Sequence, residues 1–318
     1  MRWTLPFPDD FDFVSAVCSH GFFVLAPNRW DGEQRVLRTV ISVDRGGAYD
    51  VELSADDATV RVDVPRVRRL PNATRSCITD AVGRILRLDE DLTAFHTQCA
   101  KYASHRVAAR RRFGRLLRSA TLFEDIVKII CTCNVTWKQT TGMVDALVRH
   151  YGTPAGNHTD VHAFPTAEQL AGVPENELKA TARVGYRAVS ISRLARSVQD
   201  GTIDLTAFED PDRETTELFK NLKRKLHGVG DYAAGNLCML LGRYDRLAAD
   251  TEMLRFWKTH YPRRHHTVRA IEAHYRTWQP YAFLAYWWEL WNDYTESHGD
   301  AADWQRDEQG TAITSQPR

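Results

Sequence analysis

From about residue 75 to residue 295 the chain carries one helical pattern after another, and this run constrains the fold more than any other feature. Apolar residues recur every three or four positions in segments such as LFEDIVKIICTCN, TTGMVDALVRHYG and AFLAYWWELWNDY, which is the spacing of an amphipathic helix. Earlier segments, among them RVLRTVISV, AYDVELSAD and ATVRVDVP, are short, partly alternating and rich in β-branched residues, as is typical of antiparallel strands. We therefore predict a mainly α protein, a helical body with a smaller N-terminal antiparallel β-containing (α+β) domain.

The change of pattern divides the chain into three parts. Residues 1–85 are predicted to form the N-terminal β-rich domain and residues 86–295 the helical domain. Residues 296–318 are predicted to be a polar flexible tail, because ESHGDAADWQRDEQGTAITSQPR shows little periodicity.

Composition excludes several classes of protein. With 43% apolar and 26% charged residues the chain reads as a soluble globular protein. No stretch approaches the roughly 18 apolar residues of a membrane span, and MRWTLPFPDDFDF lacks the basic start and apolar core of a signal peptide. We expect no membrane partner and a cytoplasmic, nucleoid-associated location, or a nuclear one in a eukaryote. The net charge of +1 means that an anionic partner must be met by a local basic patch.

Two such patches are present. The segment KYASHRVAARRRFGRLLR, residues 101–118, contains basic residues and no acid. A second cluster, Lys220, Lys223, Arg224 and Lys225, leads into a glycine turn. Either run alone reads as a solvated helix face, but two together, one of them at an exposed helix start, favour a phosphate backbone as the partner.

The glycine turn itself is LHGVG, residues 226–230, between two apolar helical patterns. Its glycines allow backbone geometry closed to other residues, and Asp231 can cap the helix that follows. Amides at the turn and helix start can bind a phosphate oxygen, and the carbonyls of Leu226 and Val229 are a candidate site for a structural K⁺ or Na⁺ ion. A lone carboxylate, Asp250, follows in AADTEMLRF.

These residues resemble a known family. The hairpin LHGVGDYAAGNLCMLLG with its later Asp-Thr pair looks like the hairpin and catalytic aspartate region of endonuclease III and its relatives, in the helix-hairpin-helix (HhH-GPD) DNA glycosylase superfamily. The segments LFEDIVKIICTCNVTWKQTTGMVDALVRHYG, HAFPTAEQLAG, VGYRAVSISRLARSV and QPYAFLAYW occur in the order and approximate spacing of the 8-oxoguanine glycosylase branch. The ordered set, covering roughly residues 85–292, is specific although each motif alone is not.

The resemblance implies base flipping and hydrolysis of an N-glycosidic bond. Asp250 is the implied catalytic carboxylate; capping the TEMLRFW helix is its ordinary structural role, and both roles can coexist. Bifunctional relatives carry a lysine two residues after the second hairpin glycine, where this chain has Tyr232. The resemblance therefore implies a monofunctional enzyme without β-lyase activity, with a lysine elsewhere, such as Lys138 or Lys225, as the open alternative. No iron–sulfur cluster is expected, since no cysteine follows Cys238.

Further roles follow from the same resemblance. Asn134 matches the residue that fills the space left by the flipped base, Tyr186 the aromatic wedge beside it, and Arg187 an arginine that reads the opposing cytosine. Gln139 stands where a companion arginine is found, which puts a strict preference for cytosine in doubt. A helix cap at Asn134 and simple packing at Tyr186 are the structural alternatives. The hairpin residues implied to contact DNA are Lys225, His227, Gly228, Val229 and Gly230.

The implied base pocket departs from that branch. Tyr286, Leu290 and Asn236 stand at the positions of its glutamine, phenylalanine and cysteine, with Tyr232 beside them and Gly21, after His20, approaching from the N-terminal segment HGFFVLAPNRW. Tyrosine and asparagine side chains offer different hydrogen bonds from glutamine and cysteine, so 8-oxoguanine is not expected to be the main substrate.

The hypothesis from sequence is thus a monofunctional DNA glycosylase, expected to be a monomer without a cofactor, that acts on double-stranded DNA containing a damaged or modified base. Removal of a foreign modified base, such as a modified cytosine, as a defence stays open beside repair. Two alternatives stay open as well: an alkylpurine or uracil type of glycosylase, and a non-catalytic DNA-damage-binding protein on the same scaffold.

Overall fold

A computed structural model describes residues 1–43 and 47–304. Five strands of the N-terminal region pair in an antiparallel sheet in the order β1-β5-β4-β3-β2, and two short strands form a separate hairpin. The strands are β1 (Arg2–Pro6), β2 (Arg29–Asp31), β3 (Val36–Val43), β4 (Gly47–Ala55), β5 (Thr59–Asp63), β6 (Pro154–Ala155) and β7 (His158–His162).

Helices make up most of the remaining described chain. Single 3-10 turns occur at Gly21–Val24, Thr206–Phe208, Arg276–Trp278 and Ala301–Asp303. The α-helices are α1 (Phe13–Val17), α2 (Asn72–Leu86), α3 (Thr93–Lys101), α4 (Arg106–Arg110), α5 (Leu122–Thr132), α6 (Trp137–Tyr151), α7 (Ala167–Ala171), α8 (Glu175–Thr181), α9 (Arg187–Gln199), α10 (Thr215–Lys225), α11 (Asp231–Leu240), α12 (Thr251–His260), α13 (Val268–Tyr275) and α14 (Ala282–His298). The predicted fold class, a helical body with a small N-terminal antiparallel sheet, is confirmed.

Alternation along the strands places one face of the sheet against the helices. Leu37 of β3 lies opposite Leu53 of β4, which in turn lies opposite Val62 of β5, and all three are buried. Helix α2 covers this face near β3, and the indole N–H of Trp3 donates to Oγ1 of Thr79 at 3.0 Å. Buried side chains of the sheet and of the helical body belong to one continuous apolar cluster, so the two parts share a core.

The β6–β7 hairpin, which sequence periodicity did not predict, extends the contact between sheet and helical body. The Gly156 amide donates to the Ala48 carbonyl of β4 at 2.8 Å. The Asn157 side chain both accepts from the Asp50 amide and donates to the Asp50 carbonyl. A strand pair of two and five residues is too short to give a clear alternating pattern, and its stability comes from this docking.

The segment predicted as a flexible tail from residue 296 is partly folded. Helix α14 continues to His298, and Ala301, Ala302 and Trp304 are buried. The Trp30 indole donates to the Ala302 carbonyl at 2.7 Å, and the Trp304 ring lies 5.7 Å from that of Trp291. We call residues 300–304 the C-terminal clasp. Its apolar side chains alternate too briefly with acids to be recognised in sequence; the rest of the predicted tail, residues 305–318, lies outside the described residues.

Among the described residues, no helix combines the length and apolar character needed to cross a bilayer.

Candidate active site

Asp250 occupies the N-cap of α12 in extended backbone conformation, half-buried, and its Oδ1 accepts the Met253 amide N–H at 2.6 Å. Burial raises the pKa of the Asp250 carboxyl to about 6, the Met253 hydrogen bond opposes that rise, and the nearby charge of Glu252 adds to it. The cap is thus present, and it holds a carboxylate whose pKa lies close to neutral pH, a property found more often at functional sites than elsewhere. Its catalytic role remains a prediction.

Tyr232, near the start of α11, faces this carboxylate. Its hydroxyl donates to Oγ1 of Thr132 at 3.3 Å, and Thr132 donates in turn to the Ile129 carbonyl at 2.7 Å. Burial raises the pKa of Tyr232, and the negative charge of Asp250 raises it further. Tyr232 is therefore a neutral phenol that links the start of α11 to the end of α5.

Tyr286 of α14 is also close enough to Asp250 to feel its charge. It is buried, and its pKa is raised well above the usual value, first by burial and then by the charge of Asp250. Its ring meets those of Phe256 and Phe283 edge-on, with centroids 6.2 Å apart in both pairs.

The two other predicted pocket residues have strong local contacts. The Asn236 side-chain amide donates to the Tyr232 carbonyl at 2.8 Å, one helical turn earlier, so part of its hydrogen-bonding capacity is used within α11. Leu290 is buried in the apolar cluster one turn after Tyr286. Of the predicted pocket residues, Tyr232 and Tyr286 lie close enough to Asp250 for its charge to raise their pKa values, Asn236 is bonded to the Tyr232 backbone, and Leu290 contributes packing.

Gly21 opens the 3-10 turn Gly21–Val24 and is covered by an indole ring. A Cβ at this position would lie 2.3 Å from Cζ2 of Trp137, so only glycine fits without displacing the ring. Two residues earlier, the Ser19 carbonyl accepts the indole N–H of Trp287 on α14 at 2.8 Å. His20 hydrogen-bonds the Leu117 carbonyl at 2.7 Å, and burial lowers its pKa to about 4, which keeps it neutral. Sequence reasoning missed Trp137, because a tryptophan at a helix start belongs to no motif.

Asn134 and Tyr186 lie side by side on the surface. Asn134 follows α5 with a φ of 53°, a left-handed conformation that asparagine tolerates better than most residues. Its side-chain amide donates to the Tyr186 hydroxyl at 3.4 Å, and the Tyr186 ring is 61% exposed. An exposed ring of this size next to a polar side chain suits a wedge and a gap-filling residue, which remain their predicted roles.

Arg187 is buried and engaged with the protein itself. Its guanidinium donates to the carbonyls of Ile130 (3.1 Å) and Cys133 at the end of α5, and it lies 4.6 Å from the Tyr186 ring centroid. To read an opposing base, Arg187 would have to give up its hydrogen bonds to these carbonyls. Its contact with the opposing base stays a prediction. Gln139 is exposed and closes the capping box of α6, where its side chain accepts the Thr136 amide N–H at 3.0 Å.

The hairpin joins α10 to α11 as predicted, with one change. Gly228 adopts a φ of 79°, and a Cβ there would lie 2.2 Å from Oγ of Ser190, which pairs with His227 Nδ1 at 3.0 Å. Gly230, rather than Asp231, is the N-cap of α11 and lacks a side-chain cap, because Asp231 is already helical and forms an ion pair with Lys223. The first amides of α11 thus have no side-chain acceptor at the cap, an arrangement suited to a phosphate.

The other hairpin residues predicted to contact DNA differ in exposure. Lys225 and His227 are exposed, while Val229 is buried. The Leu226 carbonyl accepts the Val229 amide at 3.3 Å and retains a second lone pair, so a monovalent ion at these carbonyls stays a prediction. Within residues 1–43 and 47–304, no group of three or more His, Cys, Asp or Glu side chains is arranged to hold a metal.

The first basic run is only partly a surface patch. Arg115 is buried with an ion pair to Asp10 at 3.0 Å, and Arg118 pairs with Glu209 at 2.5 Å. Both arginines stabilise the junction between α2, α5 and the N-terminal segment. Their partners lie far away in sequence, so the absence of acids within the run itself was misleading.

Comparisons with known proteins identify the scaffold. Residues 127–280, which include the hairpin and Asp250, match the model of the family described as "HhH-GPD superfamily base excision DNA repair protein". The structure of MBOgg1 in complex with a low-affinity DNA ligand is 19% identical, with a TM-score of 0.71 over 91% of this chain and 94% of that one. The 3-methyladenine DNA glycosylase from Archaeoglobus fulgidus is 16% identical, with a TM-score of 0.71 over 92% and 98%. The Clostridium acetobutylicum 8-oxoguanine glycosylase/lyase in its apo-form is 14% identical, with a TM-score of 0.69 over 91% and 95%.

At these identities the structural matches establish the fold, and the family match covers the hairpin and the carboxylate that follows it. Residues 127–280 of the chain are thus similar to the HhH-GPD superfamily of base excision DNA repair proteins, and the described fold is similar to that of solved DNA glycosylases.

Proposed function

We propose that the protein is a monofunctional DNA glycosylase that flips a damaged or modified base out of double-stranded DNA and hydrolyses its N-glycosidic bond, leaving an abasic site. The observation that carries the proposal is that Tyr232 lies close enough to Asp250 for the carboxylate charge to raise the pKa of the phenol. A half-buried carboxylate faces a phenol at the position where a lyase would present an amine.

Cleavage of the glycosidic bond leaves positive charge on the sugar. With a pKa of about 6, Asp250 is mostly ionised at pH 7, and its negative charge in a partly desolvated site stabilises that cation. The same carboxylate can accept a proton from the attacking water. Tyr232 is held neutral and hydrogen-bonded to Thr132, so it orders the site without acting as a nucleophile.

The lysines considered as alternative lyase groups lie elsewhere. Lys138 and Lys225 are exposed, on α6 and at the end of α10. Lys128 is buried in an ion pair with Glu124, at 2.6 Å, between the rings of Phe22 and Phe164. This distribution supports hydrolysis without strand cleavage.

DNA contact in the proposal uses three surface features: the uncapped start of α11 with Lys225 for the phosphate backbone, and Tyr186 and Asn134 for the gap left by the base. The base itself is left open by the fold, since proteins named for 8-oxoguanine and for 3-methyladenine match it about equally well. The polar groups of Tyr232, Asn236 and Tyr286 favour a base other than 8-oxoguanine, including a modified cytosine met in foreign DNA.

The test is base release from duplexes that carry uracil, hypoxanthine, alkylated purines, 8-oxoguanine or modified cytosines, compared for the wild type and D250N. We expect strand breaks that require alkali and disappear in D250N. The matched control is D204N, since Asp204 is an exposed carboxylate that accepts the Thr206 amide at 2.9 Å; it should release the base normally. Breaks without alkali would contradict monofunctional action, and tight binding without release would favour a non-catalytic damage reader.

A gain-of-function variant tests the role of position 232. Y232K places an amine beside Asp250, and we expect it to form a Schiff base that borohydride traps on DNA. A borohydride-trapped complex of the wild-type protein with DNA would show a lyase amine and contradict the proposed monofunctional activity.

A further inference from the structure

Trp137 packs against Gly21, one of the residues predicted to line the base pocket. As the first residue of α6, it lays the six-membered ring of its indole against Gly21, with Cζ2 and Cη2 at 2.3 and 2.4 Å from where a Cβ would stand. Gly21 is therefore glycine because the ring occupies the side-chain space.

The Trp137 indole N–H is buried and lacks a hydrogen-bond partner among the described residues. Tryptophans nearby and at the C-terminal clasp differ, since the N–H groups of Trp287 and Trp30 donate to backbone carbonyls at 2.8 and 2.7 Å. A buried indole N–H usually finds a partner, because a desolvated donor left unpaired is costly. An unpaired donor at a binding pocket is explained when the ligand supplies the acceptor.

The segment that carries Gly21 is attached to α14, the helix that carries the predicted pocket residue Tyr286. Ser19, two residues before Gly21, is hydrogen-bonded to Trp287, which follows Tyr286 on α14. The pKa of Tyr286 responds to the charge of Asp250. Trp137 therefore packs on the N-terminal segment at the point where that segment is bonded to α14.

Resting on the proposed glycosylase function, we propose that Trp137 is a specificity-determining residue whose indole N–H donates a hydrogen bond to the flipped base. The base then carries a keto oxygen or an unprotonated ring nitrogen on the edge that reaches Trp137. A base that presents an amino group or a C–H there would leave the donor unpaired, and such a mismatch is rejected more strongly than a small change of size.

The test compares W137F with the wild type on the duplex from which the wild type releases a base. The phenyl ring removes the N–H and, because it is shorter than the indole, also loses the contact that Cζ2 and Cη2 make with Gly21. We expect the single-turnover rate to fall roughly tenfold, while affinity for a duplex with an abasic site stays unchanged because that product carries no base. The free protein loses no hydrogen bond, so any fall in melting temperature reflects only the smaller ring.

A matched control is W30F, which removes an indole N–H that is already paired, outside the site. It should lower the melting temperature and leave base release unchanged. Duplexes with deaza or deoxy analogues of the released base identify the acceptor: removal of the right atom should slow the wild type to the rate of W137F and leave W137F unaffected.

Three results would overturn the inference. One is base release by W137F within twofold of the wild-type rate. Another is a joint loss of melting temperature and abasic-site affinity in W137F, which would show a packing role. The last is the absence of release by the wild type from any duplex, which would remove the proposed function along with the inference, whereas the first two results leave that function intact.

Discussion

Replacing Asp250 by asparagine is expected to stabilise the fold while abolishing base release. The carboxyl has a pKa of about 6 in the folded protein against 3.8 ordinarily, and each pKa unit corresponds to about 1.4 kcal/mol. Keeping Asp250 ionised therefore costs roughly 3 kcal/mol of folding free energy above pH 6. Asparagine carries no charge, and its oxygen can still accept the Met253 amide N–H as an N-cap.

The sign of the pH dependence follows from the raised pKa. A carboxyl with a raised pKa stabilises the fold when protonated, and that contribution is lost as the pH rises through about 6. The free energy of unfolding of D250N should therefore exceed that of the wild type by about 3 kcal/mol at pH 8. The difference should shrink through pH 6 and vanish below about pH 4.

Urea denaturation followed by circular dichroism from pH 4 to pH 8 measures this difference. D250A should gain less than D250N, because alanine leaves the Met253 amide without its acceptor. Asp204 is the control, because hydrogen bonds from Thr206 lower its pKa instead of raising it. The D204N variant should therefore show no increase in the free energy of unfolding at pH 8. The argument that burial destabilises the ionised Asp250 carboxylate would be refuted by either of two results. One is a D250N protein no more stable than the wild type at pH 8, and the other is an increase in stability that does not depend on pH.

Three further predictions concern activity and DNA binding. Because Asp250 acts ionised and has a pKa of about 6, kcat/KM should be level above pH 7 and fall about tenfold per pH unit well below 6; a profile flat to pH 5 would contradict this role. K225Q should weaken binding to all duplexes and reduce the slope of log Kd against log salt by about 1. K258Q, at an exposed lysine of α12 outside both basic runs, should change neither, and equal slopes for the two variants would indicate that the basic hairpin cluster is a solvated face. G228A should cost roughly 1 to 3 kcal/mol of stability and weaken DNA binding, because the new Cβ would clash with Ser190 at a residue whose φ is 79°. The matched control is G230A, where a Cβ meets no atom within 4 Å. Similar melting temperatures for the two variants would contradict the prediction that Gly228 is required by the turn.

Local patterns were enough to predict the features that depend on neighbouring residues. The helices, the strands of the sheet and the glycine hairpin each rest on spacing or on backbone freedom within a short window. Asp250 could be anticipated as a helix cap for the same reason. The family resemblance added the expectation that Asn134 and Tyr186 lie together, which their 3.4 Å contact confirms as a placement while their roles stay untested.

Features that depend on distant residues could not be predicted. The burial of Arg115 is set by Asp10, 105 residues earlier, and the engagement of Arg187 by carbonyls more than fifty residues away. The contact between Trp137 and Gly21 could not be predicted either, because no periodic pattern links the two positions. The N-cap of α11 moved to Gly230 because Lys223 holds Asp231 in the first turn.

The C-terminal clasp has a consequence for folding. The hydrogen bond from Trp30 to Ala302 joins residues 272 apart in sequence, so loop closure makes it one of the costliest contacts to form unless the intervening chain is already folded. We expect the clasp to close last and to open first, as a local opening that amide hydrogen exchange would detect at residues 300–304 ahead of the helices. Its opening frees the edge strand β2 at the far end of the sheet, and a chain shortened before Trp304 would leave that edge and the Trp291 ring uncovered and prone to self-association.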